Sequence, residues 1–258
     1  QSSNNLQTLA TGFAAHVRQM LRVSDVLLLD ISQYFARHSS AELQSLFSDW
    51  LRRTPELAAL VVVDAHSGEV LFSLNNIPLP ESFTLSAIVA PVGSDFPLWI
   101  ADRLYRDRAG DNLIVISRPF RQEKRQLLVV SLLRVDRLLD FPQEANLGPD
   151  ASVSIFHQSG VLLARKPQGD QLIGRSFAAG PLFNKLLPKS PEGLSRAPPK
   201  TDGISRIVAH HKLADLPLVV TVGTSIDWLF ADFFADPDCY QCRYCSVGGD
   251  ADSDPFAG

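Results

Sequence analysis

The feature that most constrains this chain is an internal repeat, because a sequence that copies itself at domain spacing must fold as two similar small units. Val61-Val62-Val63-Asp64-Ala65-His66-Ser67-Gly68-Glu69-Val70-Leu71 has a counterpart in Val153-Ser154-Ile155-Phe156-His157-Gln158-Ser159-Gly160-Val161-Leu162-Leu163, with the Ser-Gly pairs 92 residues apart. Ser117-Arg118 returns as Ser205-Arg206 at an offset of 88, and Leu128-Val129-Val130-Ser131 as Leu218-Val219-Val220-Thr221 at 90. Val135-Asp136-Arg137-Leu138 returns as Ile226-Asp227-Trp228-Leu229 at 91. Each copy reads as a hairpin, an irregular or helical middle, and two or three further strands. The expected fold class is α+β, with a roughly five-stranded antiparallel sheet in each copy and helices to one side.

Ahead of the repeat, residues 1–54 contain no proline and one glycine, Gly12. Leu6, Leu9, Phe13, Val17, Met20, Leu21, Leu28, Ile31 and Phe35 recur mostly at steps of three or four, which is a helical stripe. A helix of ~30 residues is ~45 Å long, too long to bury against one small sheet. Ser39-Ser40-Ala41-Glu42 spells a capping box for a second helix that ends ahead of Pro55. Strands are expected at Leu60–Val63, Val70–Phe72, Leu98–Tyr105, Leu113–Ser117 and Leu127–Leu133, and Pro142 to Pro149 reads as a connector. The domain boundaries expected are 1–56 for a helical stalk, 57–142 and 149–226 for the two copies, and 227–258 for a non-native or disordered tail.

Composition narrows the function. Apolar residues are 45% and charged residues 20%, ample for a core. Twenty-four basic against 28 acidic residues give a net charge of −4, which argues against a nucleic-acid partner. No stretch approaches the ~18 uncharged apolar residues of a membrane span.

Several motifs fail on context. Gly169 to Ser176 nearly spells a phosphate-binding loop, but Pro167 precedes it and Gly180-Pro181 ends any helix behind it. Gly248-Gly249-Asp250 imitates the start of a diguanylate cyclase signature without a catalytic domain around it. Cys239, Cys242 and Cys245 have metal-ligand spacing but no local fourth ligand. His210 and His211, adjacent on a strand, point to opposite faces. No serine or cysteine is paired with a base, so the chain is read as non-enzymatic, with no catalytic residue, no metal site and no cofactor.

The residues that mix aromatic and charged groups lie in the first copy: Asp95, Trp99, Asp102, Arg103, Tyr105, Arg118 and Arg121. Strand alternation along 98–105 puts Trp99, Arg103 and Tyr105 on one face. An arginine beside aromatic rings suits a small carboxylate, since guanidinium pairs bidentately and rings exclude water. Arg206 reads as structural, and Arg118 reads equally as structural or ligand-binding.

The second copy resembles the double Cache sensor region, two tandem PAS-like domains on a long N-terminal helix. The likeness is carried by Ser159-Gly160-Val161-Leu162-Leu163-Ala164-Arg165, Ile173-Gly174-Arg175, Pro181-Leu182-Phe183, Asp202-Gly203 with Arg206-Ile207, and Pro217 to Ser225. Ser159 stands where the family usually has aspartate, and the first copy lacks the aromatic-and-aspartate signature of amino-acid-binding Cache domains. The resemblance implies a periplasmic sensor of a membrane-anchored receptor, of the kind attached to diguanylate cyclases and histidine kinases. It implies that the first copy is membrane-distal and binds a small molecule, that the second is membrane-proximal, and that the N-terminal helix forms a homodimer. The rival reading is a constitutive dimerisation or spacer module with no small-molecule ligand.

Overall fold

A computed structural model describes residues 2–54, 56–74, 98–107, 110–140, 148, 150–167, 171–197 and 203–229. Helix α1 runs from Ser2 to Phe35 and is 34 residues long, about 50 Å at 1.5 Å per residue. Helix α2 spans Ser40–Arg53 and starts at the expected capping box, in which the Ser39 hydroxyl accepts from Glu42 N and the Glu42 carboxylate accepts from Ser39 N. The first sheet holds β1 (Leu57–Asp64), β2 (Val70–Leu74), β3 (Trp99–Arg106), β4 (Asn112–Gln122) and β5 (Arg125–Arg134). A short helix α3, Val135–Leu138, follows. The second sheet holds β6 (Ser152–His157), β7 (Leu162–Lys166), β8 (Glu192–Ala197), β9 (Arg206–Lys212) and β10 (Leu218–Ser225), with a π-helical turn Leu182–Leu186 between β7 and β8.

The strand orders are β2-β1-β5-β4-β3 and β7-β6-β10-β9-β8, so the two sheets have one topology and every pairing is antiparallel. The repeat therefore holds element for element. Residue by residue it is offset from the sequence matches in two places. Both hairpins shift register at one point, after Val62 and after Ile155, and Val62 and Ile155 both face α1 in the shared core. On the central strands Leu127, Val129 and Leu133 face α1 in the first sheet, and Leu218, Val220 and Val222 do so in the second. Leu127, not Leu128, thus occupies the place of Leu218. A one-residue slip reverses the face of every side chain, and alternating valines hide such a slip in sequence.

The Ser-Arg repeat is also not positional. Arg118 lies opposite Val129 in mid-strand, whereas Arg206 lies opposite Ser225 at the end of β10. Arg206 is buried and its Nε donates to the Asp150 carbonyl at 2.9 Å, a structural contact.

One apolar core joins α1 to both sheets. Phe13, Val17, Leu21, Leu28 and Ile31 are at most 1% exposed and cluster with strands of each copy. Three ion contacts set the helix axially. Arg18 Nε lies 2.8 Å and Arg22 Nη2 3.4 Å from the Asp215 carboxylate, in the β9–β10 connection. Arg118 Nη1 on β4 lies 2.7 Å from Asp25 Oδ1. Burial raises the Asp215 carboxyl pKa, but the Arg18 hydrogen bond and the nearby guanidinium charges lower it more.

The first hairpin turn is organised by Asp64. Its Oδ1 accepts from His66 N at 2.9 Å and Ser67 N at 3.0 Å, and its Oδ2 lies 3.1 Å from Arg125 Nε. The backbone donors of Ser67 and His66, and then Arg125, hold its pKa at about 2.

Each side chain of the Asp25–Arg118 pair is about a quarter exposed or less, so a double-mutant cycle of Asp25→Asn and Arg118→Ala should give a coupling of roughly 0.5–1.5 kcal/mol. Additive losses in denaturant titrations would show that the pair does not fasten α1. Asp64 binds its proton more weakly folded than unfolded, so its stabilisation is complete above pH 4 and is lost as pH falls toward 2. Unfolding titrations of Asp64→Asn across that window should show a shallower acid limb than the parent chain.

Candidate functional site

The candidate residues gather on β3, the edge strand of the first sheet. Trp99 pairs with Ser117 and Ile100 with Ile116, then the register shifts, and Leu104 pairs with Ile114 and Tyr105 with Leu113. Ala101, Asp102 and Arg103 therefore form a bulge opposite Val115. Directly opposed residues share a face, so Trp99 and Tyr105 stand with Ser117 and Leu113 on the face turned away from α1. That part of the expectation agrees with the register. Arg103 does not join them through strand alternation, since it lies in the bulge and is exposed.

The other charged candidates separate. Arg118 follows Ser117 on β4 and so points to the opposite face, where Asp25 of α1 holds it. Arg121 is exposed near the end of β4, opposite Gln126. Asp102 is half-buried, and its charge reaches His157 at the end of β6. Asp95 lies outside the described residues. The arrangement expected from sequence, an arginine beside the two rings, is thus replaced by rings on one face and Arg118 on the other.

The ring-bearing face has a small-residue floor. Ala58, Ala59 and Ala101 lie among Val61, Val115 and Val130, each at most 2% exposed, and Tyr105 packs against them. Ser117 is fully buried there and places a hydroxyl beside the Trp99 position. The corresponding face of the second sheet carries large side chains. Phe156 packs edge-on to Phe177 at 5.8 Å and to Phe183 at 5.7 Å, with Leu162 and Val219 beneath. Phe156 takes the hairpin position that Val63 holds in the first sheet. Both faces are covered within the chain, the first over small aliphatic side chains with Tyr105 packed against them and the second by its own aromatic packing.

Sequence reasoning missed two partners. Asp25 was signalled only as an acid inside an apolar stripe. His157, 5% exposed, accepts from Ser159 N at 3.1 Å through Nδ1 and lies 2.8 Å from the Ser159 hydroxyl. Burial lowers its pKa, and Asp102 opposes that shift in part.

The remaining motifs resolve simply. In the phosphate-loop look-alike, Gly174 N donates to Leu162 O and Arg175 N to Leu172 O, so these amides serve the fold. His210 is buried and His211 lies 3.2 Å from Glu192, consistent with opposite faces. Among the described residues no group of three His, Cys, Asp or Glu side chains could hold a metal ion, and no helix is long and apolar enough to cross a membrane. The three cysteines and Gly248–Asp250 lie outside the described residues.

Residues 136–223 match a family model described as dCache_1_like, histidine kinase sensor domain. Comparison with curated proteins gave no match. The chain is similar to the crystal structure of the extracellular domain of rpHK1S-Z16, assigned as a histidine kinase, at 26% identity and TM-score 0.74, over 88% of this chain and 96% of that one. It shares its fold with the ligand-binding domain of the Pseudomonas aeruginosa PAO1 amino acid chemoreceptor PctC in complex with GABA, at 16% identity and TM-score 0.62, over 87% and 100% of the two chains. A third similar structure is the ligand-binding domain of the Pseudomonas fluorescens chemoreceptor CtaA in complex with L-serine, at 18% identity and TM-score 0.60, over 87% and 97%. Two sheets of one strand order on a single long helix, with a sensor-domain model matched over residues 136–223, give this chain the fold of the double Cache sensor regions it is similar to.

Proposed function

We propose that the chain is the extracytoplasmic, non-enzymatic ligand-sensing module of a transmembrane receptor, with the first copy membrane-distal and the second membrane-proximal. The output is a cytoplasmic histidine kinase, a reading supported by the description of the matching family model; a diguanylate cyclase is the other output such regions serve. The observation that carries the ligand assignment is the contrast between the two outer faces: alanines, Ser117, Trp99 and Tyr105 on the first, a phenylalanine cluster on the second. The ligand proposed is a small organic molecule; the carboxylate expected from sequence loses its arginine, since Arg118 faces α1 and Arg103 lies in the bulge. Arg118 transmits rather than binds in this reading, because it joins the sheet to α1. Binding favours one arrangement of sheet and helix and shifts the population toward it.

One observation favours the spacer reading instead. The first outer face also contains an aliphatic cluster buried as completely as any core, which a constitutive packing surface would need.

A thermal-shift screen against organic acids, amino acids, amines and nucleobases decides between them. A ligand at 100 times its Kd stabilises by ~2.7 kcal/mol, on the order of 5–10 °C for a chain of this size. The shift should disappear in Trp99→Ala and persist in Arg118→Ala. Silence across the panel would favour the spacer.

We also propose a parallel homodimer through the N-terminal helix. Val23, Val26 and Tyr34 are 39%, 52% and 43% exposed on one side of α1, a stripe that a second α1 would cover. Light scattering should give a dimer mass that falls to the monomer in Val26→Glu. A monomeric parent chain would exclude the seam for the isolated region.

A further inference from the structure

The two hairpins close on side chains of different chemistry. Asp64 ends β1 and His157 ends β6, each directly after the matched pair Val63 and Phe156. Both side chains accept from backbone donors of the turn that follows. Asp64 Oδ1 takes the amides of His66 and Ser67, while His157 Nδ1 takes that of Ser159 at 3.1 Å, with the Ser159 hydroxyl at 2.8 Å. The main chain closes in the same way, Gly68 N donating to Asp64 O and Gly160 N to His157 O. An imidazole nitrogen that takes up a proton becomes a donor, so His157 can lose its place as acceptor where Asp64 keeps it.

The other ring nitrogen meets a different demand. An accepting Nδ1 leaves the neutral ring's proton on Nε2, and Nε2 is buried with no hydrogen-bond partner among the described residues. His157 lies opposite Leu218, on the face that packs against α1. The boundary with the first copy runs beside it, where β3 touches β7. There the β3 bulge presents Asp102, half-buried and without a hydrogen bond or ion pair among the described residues, and its charge acts on the His157 ring. The other charges around this end are engaged or turned away. Arg165 lies opposite Ser154 on the outer face, Lys166 is held by Asp140, and Arg103 and Arg106 of β3 are exposed. The β6–β7 turn and β10 carry no charge. On α1, Arg18 and Arg22 hold Asp215, and Asp25 holds Arg118.

We propose that His157 and Asp102 form an acid-operated latch between the two copies, in which a proton on the imidazole exchanges its acceptor role in the β6–β7 turn for a charge contact with the first copy. The neutral ring secures the turn and leaves Asp102 unpaired. The charged ring releases Ser159 N and offers its Nε2 proton to Asp102, so the proton favours the placement of the copies that brings these groups closest. Burial holds the ring below the ordinary 6.5 of a histidine and Asp102 offsets part of that shift, which puts the exchange in mildly acid medium. The latch does not rest on the small-molecule ligand proposed above.

Histidine-selective and amide NMR of the full chain, titrated from about pH 8 to about pH 4.5, tests the proposal. The His157 ring should titrate below 6.5, and the amides of Ser159 and of residues 101–103 should move with the same midpoint. Asp102→Asn, a change at a half-buried site, should lower the ring midpoint by about half a unit or more. His157→Asn keeps a side-chain acceptor for the turn and should abolish the shared transition. Asp64, held at about 2, titrates outside this window and does not mimic it. A ring that does not titrate in the window, a midpoint at or above 6.5, or a midpoint unmoved by Asp102→Asn would each overturn the latch. First-copy amides that keep the same transition in His157→Asn would do so too.

Discussion

The whole architecture depends on one helix being shared. Each five-stranded sheet has a face that must be covered, and α1 covers both with a single apolar stripe from Leu6 to Ile31. Its length follows from this duty, since a helix serving one sheet would need far fewer turns. The stripe contributes to two domains at once, so the loss of a large α1 side chain such as Phe13 propagates beyond the sheet it touches. This also explains how two small domains, each marginal by surface-to-volume scaling, can share one stable core.

Much of that fold was legible in the residues, and the reasons are physical. A proline-free helical stripe, a capping box at Ser39–Glu42 and two glycine turns at Gly68 and Gly160 are local signals, and local signals survive without tertiary information. Register did not survive. Val61-Val62-Val63 and Leu128-Val129-Val130 look alike when slid by one position, and only the contact with α1 decides which residues face inward. Ser117-Arg118 and Ser205-Arg206 matched only as a dipeptide, since one sits in mid-strand and the other at the start of its strand.

The candidate site was legible by residue type and not by direction. Trp99 and Tyr105 do share a face, but the bulge at 101–103 removes Arg103 from it, and bulges leave almost no trace in a short strand. Arg118 was separable from the rings only by knowing that Ser117 takes the outer face. Asp102 turned out to address the other copy, a long-range relation that no local pattern encodes. The contrast between alanines on one outer face and phenylalanines on the other emerged only once the strands were paired.

The ion contacts of α1 have a mechanical consequence. Arg18, Arg22 and Asp25 fall within about two helical turns, ~10 Å of a helix near 50 Å long. Elsewhere the described contacts of α1 with the two sheets are mainly apolar, and such surfaces slide and rock at lower cost than paired charges separate. The charged girdle is thus a fulcrum, fixed to the second sheet through Asp215 and to the first through Arg118. A stiff rod held at its middle turns a push near one end into an opposite swing at the other.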